Sequence, residues 1–430
     1  MLKKIQQDFS YYSHEFKDNY RKGVHRLRTI LASRAQAQAF VSNAGGVAVV
    51  LGYEPETPDK NAQELYALLA ASPYIDDAVQ TFLGSIYEAG AESQDAMYSD
   101  SARCLEILHD PVMSRAAGAG AVSAGKWIAA LAGQSCNSYR DITAVAASET
   151  AMTAVAASET AMAAVVGNAT ALNAFVTSQV AMNAVAASET AMTAVIANTA
   201  AFNTVVTSHV AMNAVASSYV AVAAVYESAV AVEAVKANET AWATLTGASS
   251  AVMGKAAAKL AGLNPADYAN MAAVAASSTA MTAIIANSTA LNAVVSSSAA
   301  MSAVAASQTA MTAVASSQTA MTAVASSNTA RTAITNSATA KNALTSSPLK
   351  TTVTKGNGNG WENRTIRNGM GYLISCFNAN SGGEAESTWY KLDGAQTSQP
   401  AGTTNVGKFF TSSLAIYWWS STSSVTYIPC

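Results

Sequence analysis

The chain has 430 residues, of which 50% are hydrophobic and only 12% are charged, and its formal net charge is −3. This length allows two or three domains, and the near-neutral charge gives no general reason to expect nucleic-acid binding. No transmembrane helix is expected, because no window approaches about twenty large apolar residues, and the N-terminus lacks the apolar segment of a signal peptide, which predicts folding in a cytoplasm.

Residues 1–137 are predicted to form a mostly helical domain. Apolar residues from Ile5 to Leu31 follow one another at steps of three and four, the pattern of an amphipathic helix over 1–35. Its basic residues indicate either a docking surface for an acidic partner or a solvated helix face. A short strand is predicted at 47–53, and helices are predicted at 59–71, 72–88, 95–109 and 122–132.

A ten-residue phrase then repeats from 143 to 348. Its most regular feature is a Ser or Asn once in each decad. Three residues later comes Ala, then a large apolar residue, and three further on Val or Ile, as in Ala151, Met152 and Val155. The polar positions are Ser148, Ser158, Asn168, Ser178, Ser188, Asn198, Ser208, Ser218, Ser228, Asn238, Ser277, Asn287, Ser297, Ser307, Ser317, Ser327, Ser337 and Ser347.

Ser and Asn cap helix N-termini, and Glu149 falls in a first turn, where the helix dipole favours an acid. Ten residues fall short of three helical turns by roughly 80°, so a continuous helix is the weaker alternative. The decads therefore predict short capped helices of about two turns, which must stack on neighbours or on other copies. The near-identity of 176–186 and 206–216 hints at a period of three decads. A disordered linker is disfavoured by the regular apolar residues.

The repeats are interrupted at 247–273, which divides them into arrays at 138–246 and 274–350. A helix over 250–260 is predicted to end at Gly262, and Asn264-Pro265 has the form of a new helix start. This segment is interpreted as a helix–turn–helix spacer. Near the end, Arg331 and Lys341 take the large apolar position, which indicates that the array opens out before its terminus.

Residues 351–430 change in composition and hold four of the six Trp residues. Strands are predicted at 372–377, 387–392, 409–418 and 424–428, with glycine-containing turns between them. Such a small β tip would bury a meagre core alone, and association of several copies would relieve this.

The phrase Ser/Asn-x-Thr-Ala-Met-x-Ala-Val, as at 178–185 and 307–314, resembles the Ala-rich repeats of tailed-bacteriophage tail fibres, and 257–268 is similar to their spacer. The resemblance covers 143–350 well, the tip only in style and the N-terminal domain weakly. It implies an elongated, mainly α, homotrimeric virion fibre made in the host bacterial cytoplasm. The N-terminal domain would attach to a phage tail or baseplate protein, and the C-terminal tip would bind a bacterial surface glycan or protein.

Aromatic residues are the strongest binding candidates in the tip, because Trp and Tyr stack on sugars and donate hydrogen bonds. The candidates are Trp389, Tyr390, Tyr417, Trp418 and Trp419. A core role is an equal alternative for each. Since Trp418 and Trp419 are adjacent in a predicted strand, they should point to opposite faces.

No enzyme, cofactor or metal site is expected. Catalytic and phosphate-binding motifs are absent, and the four Cys residues have no metal-ligand spacing, which predicts free or buried thiols. Glu384, Glu386 and Asp393 leave a polysaccharide depolymerase as a minor alternative. The other alternative to a receptor-binding fibre is a purely structural collar or head appendage.

Overall fold

The computed structural model describes residues 11–16, 20–53, 59–87, 94–380 and 387–430. The chain divides into two compact units, Met1–Val215 and Ala216–Cys430, each described by itself below. The described residues are mostly helical, with a small C-terminal β region of two sheets, which confirms the predicted fold class at this level.

The first unit begins with short helices. Residues 11–16 are helical, and Phe16, Val24 and Leu27 are buried, as the amphipathic pattern predicts. The helix over 20–32 ends before Ser33, whereas residues 1–10 and 17–19 of the predicted helix lie outside the described residues. The following helices are α1 (Tyr20–Ala32), α2 (Arg34–Val41), α3 (Ala44–Leu51), α4 (Lys60–Ala70), α5 (Ile75–Ile86), α6 (Gln94–Tyr98), α7 (Ser101–His109), α8 (Pro111–Ala117) and α9 (Ala121–Leu131).

The strand predicted at 47–53 is wrong, because residues 47–51 belong to helix α3 and residues 52–53 form a bend after it. The Asn43 side chain accepts a hydrogen bond from the Gly46 N–H and so caps the helix. Val47, Val50 and Leu51 are all buried, so the segment shows no helical periodicity in its sequence. The helix predicted at 95–109 is two helices, because Asp100 caps a new start at α7.

The decads of the first unit form the predicted short helices, and no continuous helix runs through them. Each of α11–α16 begins directly after its Ser or Asn. The helices are α10 (Ile142–Ala147), α11 (Glu149–Ala157), α12 (Glu159–Val166), α13 (Ala169–Val176), α14 (Gln179–Ala187), α15 (Glu189–Ala197), α16 (Thr199–Thr207) and α17 (His209–Ser217), the last of which crosses the boundary between the units.

Three decads make one layer. Helix α11 packs on α14, α12 on α15 and α13 on α16. The chain bends by 100° between consecutive helices α14 and α15. After three such bends, each decad helix lies next to the helix three decads earlier. The repeated Ala, large apolar and Val residues, such as Ala151, Met152 and Val155, are 0% exposed and fill the interior. The array thus buries its apolar residues against its own neighbouring layers.

Many of the Ser and Asn side chains make two hydrogen bonds, one within their own helix and one to an earlier segment of the chain. The Ser178 Oγ accepts from the Ala181 N–H at 3.2 Å and donates to the Ala146 carbonyl of the preceding layer at 2.6 Å. Asn198 divides these roles, since its Oδ1 accepts from Ala201 and its Nδ2 donates to Val166. Only a side chain with both an acceptor and a donor does this, which excludes an ionised Asp.

The second unit has the same architecture around its helices. Helix α22 packs on α25, α23 on α26 and α26 on α29. The helices are α18 (Tyr219–Glu227), α19 (Ala229–Lys236), α20 (Glu239–Thr246), α21 (Ser250–Leu260), α22 (Met271–Ala276), α23 (Ser278–Ala286), α24 (Ser288–Ser296), α25 (Ser298–Ala306), α26 (Gln308–Ala315), α27 (Gln318–Ser326), α28 (Asn328–Thr335) and α29 (Ala338–Thr345).

The spacer contains helix α21, a turn and helix α22, and Asn264-Pro265 starts only a short 3₁₀ helix at Pro265–Asp267. The sequence reasoning missed that the same module precedes the first array, where α9, a turn and α10 occupy 118–148. Residues 247–277 align with 118–148 without a gap. The matching residues include Gly125 with Gly254, Leu131 with Leu260, Gly133 with Gly262 and Tyr139 with Tyr268.

Two glycines let the helices of each module touch. A Cβ on Gly125 would lie 2.3 Å from the carbonyl carbon of Asp141, and a Cβ on Gly254 would lie 2.3 Å from that of Asn270. The turns also match, because Gly133 and Gly262 have φ of 71° and 75° and end α9 and α21. In both modules the close approach of the two helices therefore requires glycine.

The C-terminal region is a sandwich of two four-stranded antiparallel sheets, ordered β1-β8-β3-β6 and β2-β7-β4-β5. Leu373, Phe410, Ile416, Trp418 and Val425 fill the space between them. The strands are β1 (Thr351–Thr354), β2 (Glu362–Asn368), β3 (Gly371–Asn378), β4 (Trp389–Leu392), β5 (Ala395–Ser398), β6 (Gly402–Phe410), β7 (Ser413–Trp418) and β8 (Ser424–Pro429).

The prediction of strands near 372–377, 387–392 and 424–428 is confirmed, whereas the strand at 409–418 is two strands. Asp393 causes the division, because it accepts hydrogen bonds from the N–H groups of Thr411, Ser412 and Ser413 and holds a turn there. Strands β1, β2 and β5 and residues 402–408 of β6 were not predicted, since their residues are largely exposed and lack an apolar alternation.

One end of the sandwich contacts the last layer of helices. Gln318 of α27 donates to the Pro429 carbonyl at 2.9 Å, and α28 packs on β6. Arg331 and Lys341 are half-buried at this terminal layer, where Lys341 lies beside Gly407 of β6. The final decads keep the helical layer and meet the sandwich, so the interpretation that the array opens out here is wrong.

Candidate functional site

Four aromatic side chains form a row on the outer face of sheet β2-β7-β4-β5, and we call Trp419, Trp361, Tyr417 and Trp389 the aromatic row. The rings of Trp361 and Tyr417 stack with centroids 4.7 Å apart, and those of Tyr417 and Trp389 stack at 5.2 Å. Trp419 meets Trp361 edge to face at 5.5 Å. At the other end, the Lys391 ammonium lies 4.6 Å from the Trp389 ring centre.

Strand register produces this row. Trp389 pairs directly with Tyr417 across β4 and β7, so both side chains leave the same face of the sheet. Lys391 lies two residues further along β4 and therefore shares that face. Leu414, Ile416 and Trp418 alternate with these positions on β7 and point into the core.

A glycine-rich loop places Trp361 at the start of β2. The Gly360 N–H donates to the Trp419 carbonyl, and the Gly356 N–H donates to the Ser421 carbonyl, so the loop runs beside 419–421. Gly356, Gly358 and Gly360 all have positive φ, which other residues rarely adopt. The Lys355 ammonium is buried and donates to the Gly358 carbonyl at 2.7 Å, which holds the loop closed.

The chemistry of the row follows from its stacking. The inner ring faces are covered by one another, so a ligand meets mainly ring edges and the polar groups of Trp and Tyr. Trp361 is the most exposed member at 38%. Such a surface offers apolar contact area together with indole N–H and phenol O–H groups, a combination enriched where proteins recognise partners.

The row lies at the end of the sandwich remote from the helices. The contact with the last layer involves Met370 and Pro429, beside the end of β2 at Asn368. The row instead lies at the opposite strand ends, beside Glu362 and Trp418, which pair with each other. Seven-residue strand β2 separates the two ends by about 20 Å, from a rise of about 3.4 Å per residue.

The structure divides the predicted site residues into two groups. Trp389, Tyr417 and Trp419 are half-buried members of the row, whereas Trp418 is 0% exposed and Tyr390 is 5% exposed, both in the core. The expectation that Trp418 and Trp419 point to opposite faces is confirmed. Sequence reasoning missed Trp361, although its position directly after a glycine run and before a polar strand was available as a signal.

The carboxylates named for glycoside hydrolysis do not form a described pair. Glu384 and Glu386 lie outside the described residues. Burial tends to raise the pKa of Asp393, but hydrogen bonds from the N–H groups of 411–413 outweigh this effect and hold the pKa at about 2. The Asp393 carboxylate therefore serves to stabilise the β6–β7 turn through these hydrogen bonds.

Other candidate chemistry is sparse in the described residues. No cluster of three or more His, Cys, Asp or Glu residues suited to a metal ion occurs there. All four cysteines are free, and Cys104, Cys136 and Cys376 are buried, as expected. Within the described chain, no single helix is long and apolar enough to cross a membrane, although three bent pairs of helices reach that length and composition together.

No protein-family model matches the chain, and no curated protein matches it.

Proposed function

We propose that this chain is a structural protein of a tailed-bacteriophage particle, a tail fibre whose C-terminal sandwich attaches the particle to a bacterial surface. The N-terminal helices would attach to a tail or baseplate protein. The decad layers would act as a spacer that carries the sandwich, and the aromatic row would contact a surface glycan or protein.

The observation that carries the proposal is the place of the aromatic row. The sandwich is held to the helical layers at one end, and the row lies at the opposite end, about 20 Å away along the strands. If the aromatic row served only to stabilise the sandwich, it would not need to lie at the end opposite the helices. Aromatic residues grouped on a surface and remote from the support are what an attachment site requires.

We also propose that the fibre is a homotrimer. The decads bury most of their Met and Val residues within one chain, and Val230, 67% exposed, is an exception. The sandwich is the better place for association, because edge strand β5 is exposed along its whole length and offers unpaired backbone groups. Three sandwiches on one fibre would strengthen weak individual contacts through multivalency.

Binding of the labelled full chain to bacterial cells tests the attachment role. We expect saturable binding to some strains of a panel, and we expect Trp361→Ala and Trp389→Ala to weaken it at least tenfold, as loss of an interface hot spot does. Phe377→Ala is the matched control, because Phe377 is 37% exposed on the other sheet of the same sandwich.

Two results would contradict the proposal: no binding to any strain, or binding that survives both Trp variants. Light scattering of the purified chain tests the trimer separately, since a mass equal to one chain would refute it without affecting the attachment result.

A further inference from the structure

The second unit contains a cleft of about 420 Å³ between helices α18–α20 on one side and α24 on the other. We call it the spacer cleft. None of its lining residues belongs to the sandwich, and none of the sequence motifs pointed to it. Its main lining residues are Tyr226, Glu233, Lys236, Trp242, Thr289 and Asn292.

The spacer module creates this cleft. Helix α18 packs on α21, and α21 packs on α24, so α21 takes the place of a decad helix. In the described chain, no later helix packs closely on α19 or α20 in the way that α25 packs on α22. The large apolar position, which is buried at Met281 and Met301, is therefore half-buried at Val232 and Trp242.

The lining combines one indole with several polar groups. Trp242 forms the aromatic wall, and the Lys236 ammonium lies 5.6 Å from its ring centre while pairing with Glu233 at 2.9 Å. Thr289 and Asn292 face it from α24. Behind them, burial raises the pKa of Tyr226 to about 12, an effect that its neighbour Ser296 partly opposes.

These features narrow the class of ligand. The carboxylates of Glu227 and Glu233 outnumber the Lys236 ammonium in the lining, which disfavours an anionic ligand. The polar wall of α24 disfavours a wholly apolar ligand, because its amide and hydroxyl groups would lose their hydrogen bonds to water. A pyranose ring has an apolar C–H face for an indole and hydroxyl groups for Asn, Thr and Glu.

We propose that the spacer cleft binds a short neutral saccharide of one or two pyranose rings. The volume lies at the lower end of the range for small-molecule sites, about 300–1,000 Å³, which suits a ligand of this size. The ring would lie against Trp242, and Asn292 and Thr289 would hydrogen-bond its hydroxyl groups. This site is separate from the aromatic row, and the proposal does not depend on the attachment role.

Saturation-transfer-difference NMR with the full-length chain tests the proposal, since the method detects weak binding. The probes are glucose, galactose, N-acetylglucosamine and the β-linked dimer of each. We expect signal from at least one probe, and we expect Trp242→Ala and Asn292→Ala to reduce it at least fivefold. Phe377→Ala, an exposed aromatic residue on the other sheet of the sandwich, serves as the matched control and should leave this signal unchanged. Trp361→Ala is measured beside it, because the aromatic row is itself proposed to contact a glycan.

Circular dichroism separates loss of binding from loss of folding, and Asn292→Asp, which preserves size and an acceptor, provides a second variant expected to bind more weakly without disturbing α24. Absence of signal from all six probes would overturn the proposal. Signal that disappears in Trp361→Ala and persists in Trp242→Ala would also overturn it, because that result places the saccharide on the sandwich.

Discussion

Ser178, which precedes a decad helix, makes two hydrogen bonds with its side chain, and we therefore expect substitutions there to have distinct effects on stability. Replacement by Ala removes the helix cap, worth about 1 kcal/mol, and leaves the Ala146 carbonyl without its donor, which costs about 1–3 kcal/mol more. Ser178→Asn should be nearly neutral, because Asn198 already makes both bonds at an equivalent corner.

Ser178→Asp is the informative variant. Asp is a good helix cap, so capping alone predicts no loss of stability. An ionised carboxylate has no donor, however, and would face the Ala146 carbonyl, so we expect a loss of about 1–3 kcal/mol at pH 7. Protonation at low pH restores a donor. The folded pKa of this carboxyl is therefore raised, and the deficit relative to wild type should appear as pH rises through it.

Hydrogen exchange measured by mass spectrometry suits this test, because repeat arrays open locally rather than all at once. Peptides covering 142–187 should exchange roughly tenfold faster, or more, in the Ala and Asp variants and at the wild-type rate in the Asn variant, since about 1.4 kcal/mol is tenfold. Equal protection of Ser178→Asp and wild type at pH 7 would refute the role of the donor.

Three further predictions concern the spacer, the sandwich turn and the sandwich core. Gly254→Ala places a Cβ 2.3 Å from the Asn270 backbone and should lower stability by about 1–3 kcal/mol in thermal unfolding, whereas Gly167→Ala, 3.2 Å from the nearest atom, should change it far less. The Asp393 pKa of about 2 lies below its unfolded value of about 3.9, so its contribution is complete above about pH 4 and is lost as pH falls towards 2. Because Asp393 is exposed, we discount this contribution to about 1 kcal/mol; Asp393→Asn should flatten the pH dependence in that window, and an unchanged slope would contradict the assignment. Trp418→Ala should cost about 3–5 kcal/mol in denaturant unfolding because the side chain is wholly buried, and Trp419→Ala, half-buried, should cost much less; equal losses would contradict the assignment of faces.

The array was predictable because its signals are local. A Ser or Asn before an Ala-rich segment is a cap signal, and a ten-residue period conflicts with a straight helix. The layer of three decads was only hinted at in the sequence, because stacking joins residues about thirty apart. The donor role of Ser178 was missed for the same reason, since its acceptor at Ala146 belongs to another layer.

The failures have physical causes too. Helix α3 is buried on nearly all sides, so apolar periodicity cannot identify it, and only Asn43 marks its start. The module at 118–148 is identical to 247–277 only at scattered positions. The role of its glycines becomes clear only in the structure, where Gly125 lies against the backbone of Asp141. Among the tip aromatic residues, the alternation of Tyr417, Trp418 and Trp419 between the two faces of the sheet could be predicted from the sequence. The burial of Tyr390 could not, because no local pattern shows that its side chain faces the core.

The central claim is that decads separated by three positions lie against one another. Distances between spin labels at 149 and 179, 149 and 169, and 149 and 159 test it most directly, in a chain whose four native cysteines are replaced by alanine. Because α11 packs on α14, the 149–179 pair should be the closest, with helix axes about 10 Å apart. A 149–179 distance near 45 Å, the value for a continuous helix at about 1.5 Å per residue, would contradict the account.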